Sequence, residues 1–190
     1  MSKNILLCGV GGQGTVLASK LIAAAAMNKN IPVMSAETIG MAQKGGSVVS
    51  YIKFGDDIYC PMFSRGEADV IIAFEPAEAV RMLPFLKEDG VMIANTRPIM
   101  PVTSALGKAP YNSGDMVKCL KENVRQLTLV DCSEAAKELG SSRVINLVLL
   151  GAAIKSGALS LTAEDIKEAL RQKVKPEFYE LNCCALNFLS

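Results

Sequence analysis

Four glycines and a glutamine near the start of the chain, in Gly9-Val10-Gly11-Gly12-Gln13-Gly14, point most directly to chemistry. Gly9, Gly11 and Gly14 form G-x-G-x-x-G between an apolar run, Asn4 to Cys8, and an Ala-rich stretch, Thr15 to Met27, that reads as a helix. In a strand–turn–helix setting this pattern describes a phosphate cradle. Glycines let backbone N–H groups approach a ligand closely. The helix N-terminus behind them carries a partial positive charge that favours an anion. Gln13 adds an amide that both donates and accepts. Lys44, Arg65 and Arg97 are the cations that could neutralise a bound phosphate.

The cofactor is left open by these residues. A nicotinamide dinucleotide site also needs an acid roughly 20 residues further on, at the end of the second strand. Glu37 falls near that distance, so a stand-alone NAD-binding dehydrogenase-like domain is one reading. A glycine-punctuated segment, Thr38-Ile39-Gly40-Met41-Ala42-Gln43-Lys44-Gly45-Gly46, comes directly after Glu37, in place of an ordinary crossover helix. The chain has no Tyr-x-x-x-Lys and no His–Asp pair. Plainer roles stand beside the functional ones. Gly45-Gly46 can serve a turn, Glu75 before Pro76 can cap a helix, and the three cations can be solvated.

Missing residue types exclude more than the present ones establish. There is no histidine, so Ser-His-Asp, Cys-His and histidine-ligated metal sites are ruled out. The six cysteines, Cys8, Cys60, Cys119, Cys132, Cys183 and Cys184, include no C-x-x-C, and read as free thiols and not as ligands of zinc or an iron–sulfur cluster. The nine methionines read as packing material. A net charge of +1 gives no electrostatic case for nucleic acid. The longest uncharged apolar stretch, Val144 to Ile154, is too short for a bilayer and no leader pattern opens the chain, so no membrane partner and a cytoplasmic location are expected. Such a chain suits a subunit that binds or covers while another does the chemistry.

The elements that must position these residues alternate between strand and helix. At 190 residues and 50% apolar, one globular domain over 1–190 is expected. Strands are expected over 5–8, 32–36, 47–54, 69–74, 91–95 and 127–131, with helices over 14–27, 76–86 and from 113 onward. Gly55-Asp56-Asp57 suggests a hairpin joining 47–54 to a short strand at 58–60. Ser133 is expected to cap a short helix ending at Gly140, and Thr162-x-x-Asp165 to open another. The last third, from Arg143, reads as wholly helical. The fold class is therefore α/β: a mostly parallel, Rossmann-like sheet flanked by helices, with a β-hairpin insertion and a helical C-terminal third. In such sheets ligands sit beyond the strands' carboxyl ends. Gly9–Gly14, Glu37–Gly46, Glu75-Pro76 and Asn95-Thr96-Arg97-Pro98 should then meet at one edge.

Taken in order, these segments resemble a known family. Gly9-Val10-Gly11-Gly12-Gln13-Gly14, Ala36-Glu37-Thr38-x-Gly40-Met41-Ala42-Gln43-Lys44-Gly45-Gly46-Ser47-Val48, Ala68-Asp69 and Phe74-Glu75-Pro76 are similar to the gamma-type domain of 2-oxoacid:ferredoxin oxidoreductases, most closely its indolepyruvate branch. Asn95-Thr96-x-Pro98-Ile99-x-Pro101 and Gly140-x-x-Arg143-x-x-Asn146 to Gly151 extend the resemblance over nearly the whole chain. It implies an accessory subunit of an enzyme that oxidatively decarboxylates a 2-oxoacid with coenzyme A, giving acyl-CoA, carbon dioxide and reduced ferredoxin. It implies that thiamine diphosphate, magnesium and [4Fe–4S] clusters belong to a large partner subunit, with ferredoxin met only indirectly. It further implies that Gly9, Gly11, Gly12, Gln13 and Gly14 form an anion-binding turn toward coenzyme A. Glu37, Thr38, Lys44, Gly45 and Gly46 would shape a shared cleft. Lys44 stands where the family as often has Arg, which would grip a phosphate better.

Overall fold

The computed structural model describes residues 2–39, 45–100 and 111–189. Six strands make one sheet: β1 (Lys3–Val10), β2 (Val33–Ile39), β3 (Ser47–Phe54), β4 (Ala68–Ala73), β5 (Leu86–Asn95) and β6 (Gln126–Val130), in the order β2-β3-β1-β4-β5-β6. β1, β4, β5 and β6 run parallel. β3 lies antiparallel between β1 and β2. Seven α-helices flank the sheet among the described residues: α1 (Thr15–Asn28), α2 (Pro76–Met82), α3 (Ser113–Asn123), α4 (Cys132–Glu138), α5 (Ile145–Lys155), α6 (Ala163–Lys173) and α7 (Tyr179–Leu186).

The central strands are apolar on both faces because both faces are covered. Ile5, Leu7, Ile72 and Ile93 pack with α1 and α5, while Leu6, Cys8, Ile71 and Met92 face the other way, toward Ala79 of α2 and Leu120 of α3. α5 is buried on nearly every side, as its unbroken apolar sequence requires. It lies under α7 so closely that a Cβ at Gly151 would overlap the Leu186 carbonyl oxygen. Thr162 and Asp165 form a complete capping box on α6, each side chain taking the other's backbone N–H.

The expected architecture holds, with corrections. The hairpin exists, but its strands are β2 and β3; residues 58–60 form no strand. Here cross-strand pairing of two long apolar segments outweighs a local turn signal. β5 starts five residues early, because Leu86 already pairs with Ala68 across a register shift. Asp131 and not Ser133 caps α4, its carboxylate accepting the Ser133 N–H at 2.8 Å. Glu37 and Thr38, expected in a loop, lie inside β2.

Candidate functional site

β1, β2, β4 and β5 all deliver their carboxyl ends to one edge of the sheet. Hydrogen bonds tie together the segments that leave those ends. The Gly11 N–H donates to the Gly46 carbonyl at 2.8 Å, joining the glycine turn to the end of the β2–β3 connection. Gln13 bridges two strands: its Oε1 accepts the Val10 N–H at 2.7 Å and its Nε2 donates to the Phe74 carbonyl at 2.8 Å. Asn95 Nδ2 reaches the same carbonyl at 3.2 Å, and its Oδ1 accepts from the N–H groups of Arg97 and Cys132. Gly9–Gly14, Gly46, Phe74 and Asn95 thus meet at this edge, with Gln13 as the bridge, while Glu37 of the expected segment lies short of it and residues 40–44 fall outside the described residues.

Two of the glycines are explained by packing. A Cβ on Gly9 would lie 2.8 Å from Gln13 Oε1 and 2.9 Å from Phe74 Cβ. On Gly14 it would lie 2.8 Å from Asn146 Nδ2, at a backbone φ of 81° that side chains avoid. Gly12 differs: its φ is 102°, and nothing lies within 4 Å of the added atom. Gly14 is the N-cap of α1 and offers no side chain, so no side-chain cap satisfies the first-turn N–H groups. A cavity of about 340 Å³ opens there, lined by Val10, Gly11, Gly12, Gly14, Thr15, Val16 and Val48.

Glu75 is buried, 1% exposed, and caps α2 by accepting the Glu78 N–H at 3.0 Å. The Tyr111 hydroxyl donates to its other oxygen. Burial and this bond to Glu75 push the Tyr111 hydroxyl well above the usual phenol pKa. Glu78, also buried, accepts the Ser47 hydroxyl at 2.6 Å and pairs with Arg81 at 3.2 Å. The Cys8 thiol beneath it is raised by burial first and then by the Glu78 and Glu75 charges. Tyr111, Ser47, Glu78 and Asn146 were not singled out as site residues from sequence. Each meets its partner across the fold; Ser47 and Asn146 alone had left a trace, inside the motifs of the resemblance.

The remaining candidates fall elsewhere. Glu37 pairs with Ser50, which pairs with Leu7, so it lies two strands from β1 and short of the edge. Its carboxylate accepts the Ser19 hydroxyl of α1 at 3.3 Å. A dinucleotide fold sets the second strand directly beside the first; here β3 occupies that place, and the ribose role for Glu37 is lost. The Thr38 hydroxyl donates to the Val49 carbonyl. Gly45 has a φ of 82° in open space, as a turn residue should. Lys44 lies outside the described residues. Arg65 sits between β3 and β4, where the Gly66 N–H donates to Pro84, at the opposite edge. Arg97 reaches Ser133 Oγ at 3.4 Å. Among the described residues, no three of His, Cys, Asp and Glu are grouped to hold a metal. No described helix is long and apolar enough to cross a membrane.

Known proteins share this fold and sequence. The chain is 39% identical over 186 residues to the indolepyruvate oxidoreductase subunit IorB of Pyrococcus horikoshii, covering 97% of this chain and 92% of the relative. Its fold matches the pyruvate oxidoreductase subunit PORC of Thermotoga maritima with a TM-score of 0.72 at 19% identity, over 98% of this chain and 94% of that one. It also matches a 2-oxoglutarate:ferredoxin oxidoreductase of Magnetococcus marinus, solved with 2-oxoglutarate, coenzyme A and succinyl-CoA bound. There the TM-score is 0.68 at 21% identity, over 98% of this chain but only 30% of that one. The model of the pyruvate ferredoxin/flavodoxin oxidoreductase family matches residues 4–187, and the chain belongs to that family.

Proposed function

We propose that this chain is the smaller, accessory subunit of an indolepyruvate-type 2-oxoacid:ferredoxin oxidoreductase in the cytoplasm. It would bind and cover the reacting centre held by a large thiamine diphosphate, magnesium and iron–sulfur subunit. The reaction converts the 2-oxoacid and coenzyme A to acyl-CoA and carbon dioxide, with electrons passing to ferredoxin. One observation carries this reading. The buried carboxylates, the glutamine and the asparagine at the carboxyl edge already hold partners within the chain, while among the described residues there the N-terminus of α1 carries no side-chain cap. That feature suits an anion supplied from outside. Coenzyme A brings a pyrophosphate, and the N–H groups at Gly12, Gly14, Thr15 and Val16 are the ones this chain could offer it. Gly9, Gln13, Gly45 and Gly46 would act by holding that turn in shape, and Lys44, Glu37 and Thr38 would contribute to the surrounding surface.

Val16→Glu tests the assignment. A carboxylate in the first helical turn is tolerated, contributing about 0.3–1 kcal/mol through the helix dipole, so the subunit should fold and assemble. The same charge repels a phosphate. The assembled enzyme should show a KM for coenzyme A raised about tenfold, with kcat little changed. An unchanged KM would remove the coenzyme from this turn. The isolated wild-type chain should reduce no ferredoxin; steady turnover by it alone would overturn the accessory role.

A further inference from the structure

The glycine turn is gripped from two sides. Gln13 fastens it to the Phe74 carbonyl beyond the end of β4. The start of β3 holds the other side. Val48 pairs with Gly9 and Ser47 with Val10, and the ladder runs one step further, from the Gly11 N–H to the Gly46 carbonyl. Side chains alternate along a strand. Val48 therefore turns toward α1 and lines the cavity at its N-terminus, while Ser47 turns with Val49 and Tyr51 to the α2 face. There the Ser47 hydroxyl donates to Glu78 Oε2 at 2.6 Å. Glu78 is 5% exposed and stands in the first turn of α2, where the helix dipole favours an anion. Its N–H is held by the Glu75 carboxylate at 3.0 Å and its Oε1 by Arg81 at 3.2 Å. Glu75 is in turn held by the Tyr111 hydroxyl. A hydrogen bond to a buried, fixed carboxylate is among the stronger ones a fold makes.

We propose that Ser47, anchored on Glu78, is a positioning residue for the anion-binding turn. It acts through the backbone: with Ser47 fixed, the neighbouring Gly46 carbonyl stays on the Gly11 N–H. This rests on the reading that coenzyme A meets the chain at that turn. Gly12 has a φ of 102° with nothing near its added Cβ, and Gly14 a φ of 81°, so the residues of the turn permit many backbone conformations. Restraint must come from their neighbours. Gln13 supplies it on the β4 side, and the Ser47–Glu78 bond supplies it on the β3 side. A turn already in shape loses less entropy when a phosphate binds. The bond therefore sets affinity for coenzyme A and leaves the reacting carbon, held by the large subunit, untouched. The Ser47 hydroxyl faces α2 and is not part of the cavity lining, so it gives the ligand no contact of its own.

Two measurements test this. In the 15N-labelled full chain, hydrogen exchange is followed at the Gly11 amide. The Gly66 amide, bonded to the Pro84 carbonyl at the opposite edge, is the reference. Ser47→Ala should speed exchange at Gly11 by about tenfold or more, as loss of a hydrogen bond to a charged group implies, and leave Gly66 unchanged. Ser47→Thr, which keeps the hydroxyl, should restore the wild-type rate. An unchanged Gly11 rate in Ser47→Ala would overturn the proposal. In the enzyme assembled with the full large subunit, Ser47→Ala should raise the KM for coenzyme A about tenfold, with kcat and the KM for the 2-oxoacid close to wild type, and Ser47→Thr should reverse the change. An equal rise in both KM values, or a fall in kcat alone, would mark a general loss of structure and overturn the positioning role. Glu78→Gln keeps an acceptor for Ser47 without the charge and should shift both readouts in the same direction by less. If Ser47→Ala does not assemble, Glu78→Gln decides, and wild-type values there would overturn the proposal. Val16→Glu judges the underlying reading separately. A raised KM in Val16→Glu with a wild-type KM in Ser47→Ala would leave coenzyme A at the turn and end the role of Ser47. An unchanged KM in Val16→Glu would end both, whatever the exchange rate at Gly11.

Discussion

At the residue scale, the glycine motif is first a packing device. Gln13 ties β1 to β4 through its own amide, and Gly9 leaves the space that the amide needs. Gly9→Ala should therefore destabilise the fold by about 1–3 kcal/mol, an overpacking cost, read as a lowered urea midpoint at unchanged slope. Not every thiol on the chain should react. Burial raises Cys8, and burial with the Asp131 charge pushes Cys132 up to about 12, so both should resist alkylation at pH 8 until the protein unfolds. Asp131 titrates in the other direction. Hydrogen bonds from the Ser133 hydroxyl and N–H, with the nearby Arg97 charge, hold its carboxyl below the usual range. A depressed folded pKa stabilises the protein above the unfolded value of about 3.9. That contribution is lost as pH falls through the folded pKa. Asp131→Asn should therefore be less stable near pH 6 and lose less than wild type on acidification below pH about 4, measured by thermal melts across pH.

At the element scale, helix-on-helix contact decides the C-terminal third. α5 and α7 approach so closely at Gly151 that Gly151→Ala must move α7, since backbone cannot yield as a side-chain tip would. Loss of about 3 kcal/mol or more is expected, along with a lower melting temperature. Thr162→Ala removes one half of the α6 capping box and should cost only about 1 kcal/mol, or roughly 2–4 °C. The capping box was legible because both partners lie within four residues. The β2–β3 pairing was not, because the turn at Gly55 pointed to a partner only three residues away, while the true partner pairs through a longer connection.

At the scale of the whole molecule, the insertion of β3 between β1 and β2 separates this fold from a dinucleotide-binding one. It carries Glu37 away from the glycine turn to a hydrogen bond with Ser19. Titration of NAD against the purified chain should accordingly give no saturable binding at micromolar concentration, and Glu37→Ala should not alter that result. The same sheet order leaves β2 at an edge and sets the start of β3 beside the glycine turn.

The sequence by itself determined the α/β class, nearly every strand and helix, the family, and the absence of a histidine-based centre. These follow from residue type, period and short-range spacing, which the chain carries locally. Only the tertiary structure decided what each polar residue faces. It set Gln13 between two strands, Glu75 under Tyr111 and Glu37 on Ser19, and it chose β3 as the neighbour of β1. Such partners lie tens of residues apart, and no local pattern encodes which strand will be drawn between two others when the core closes.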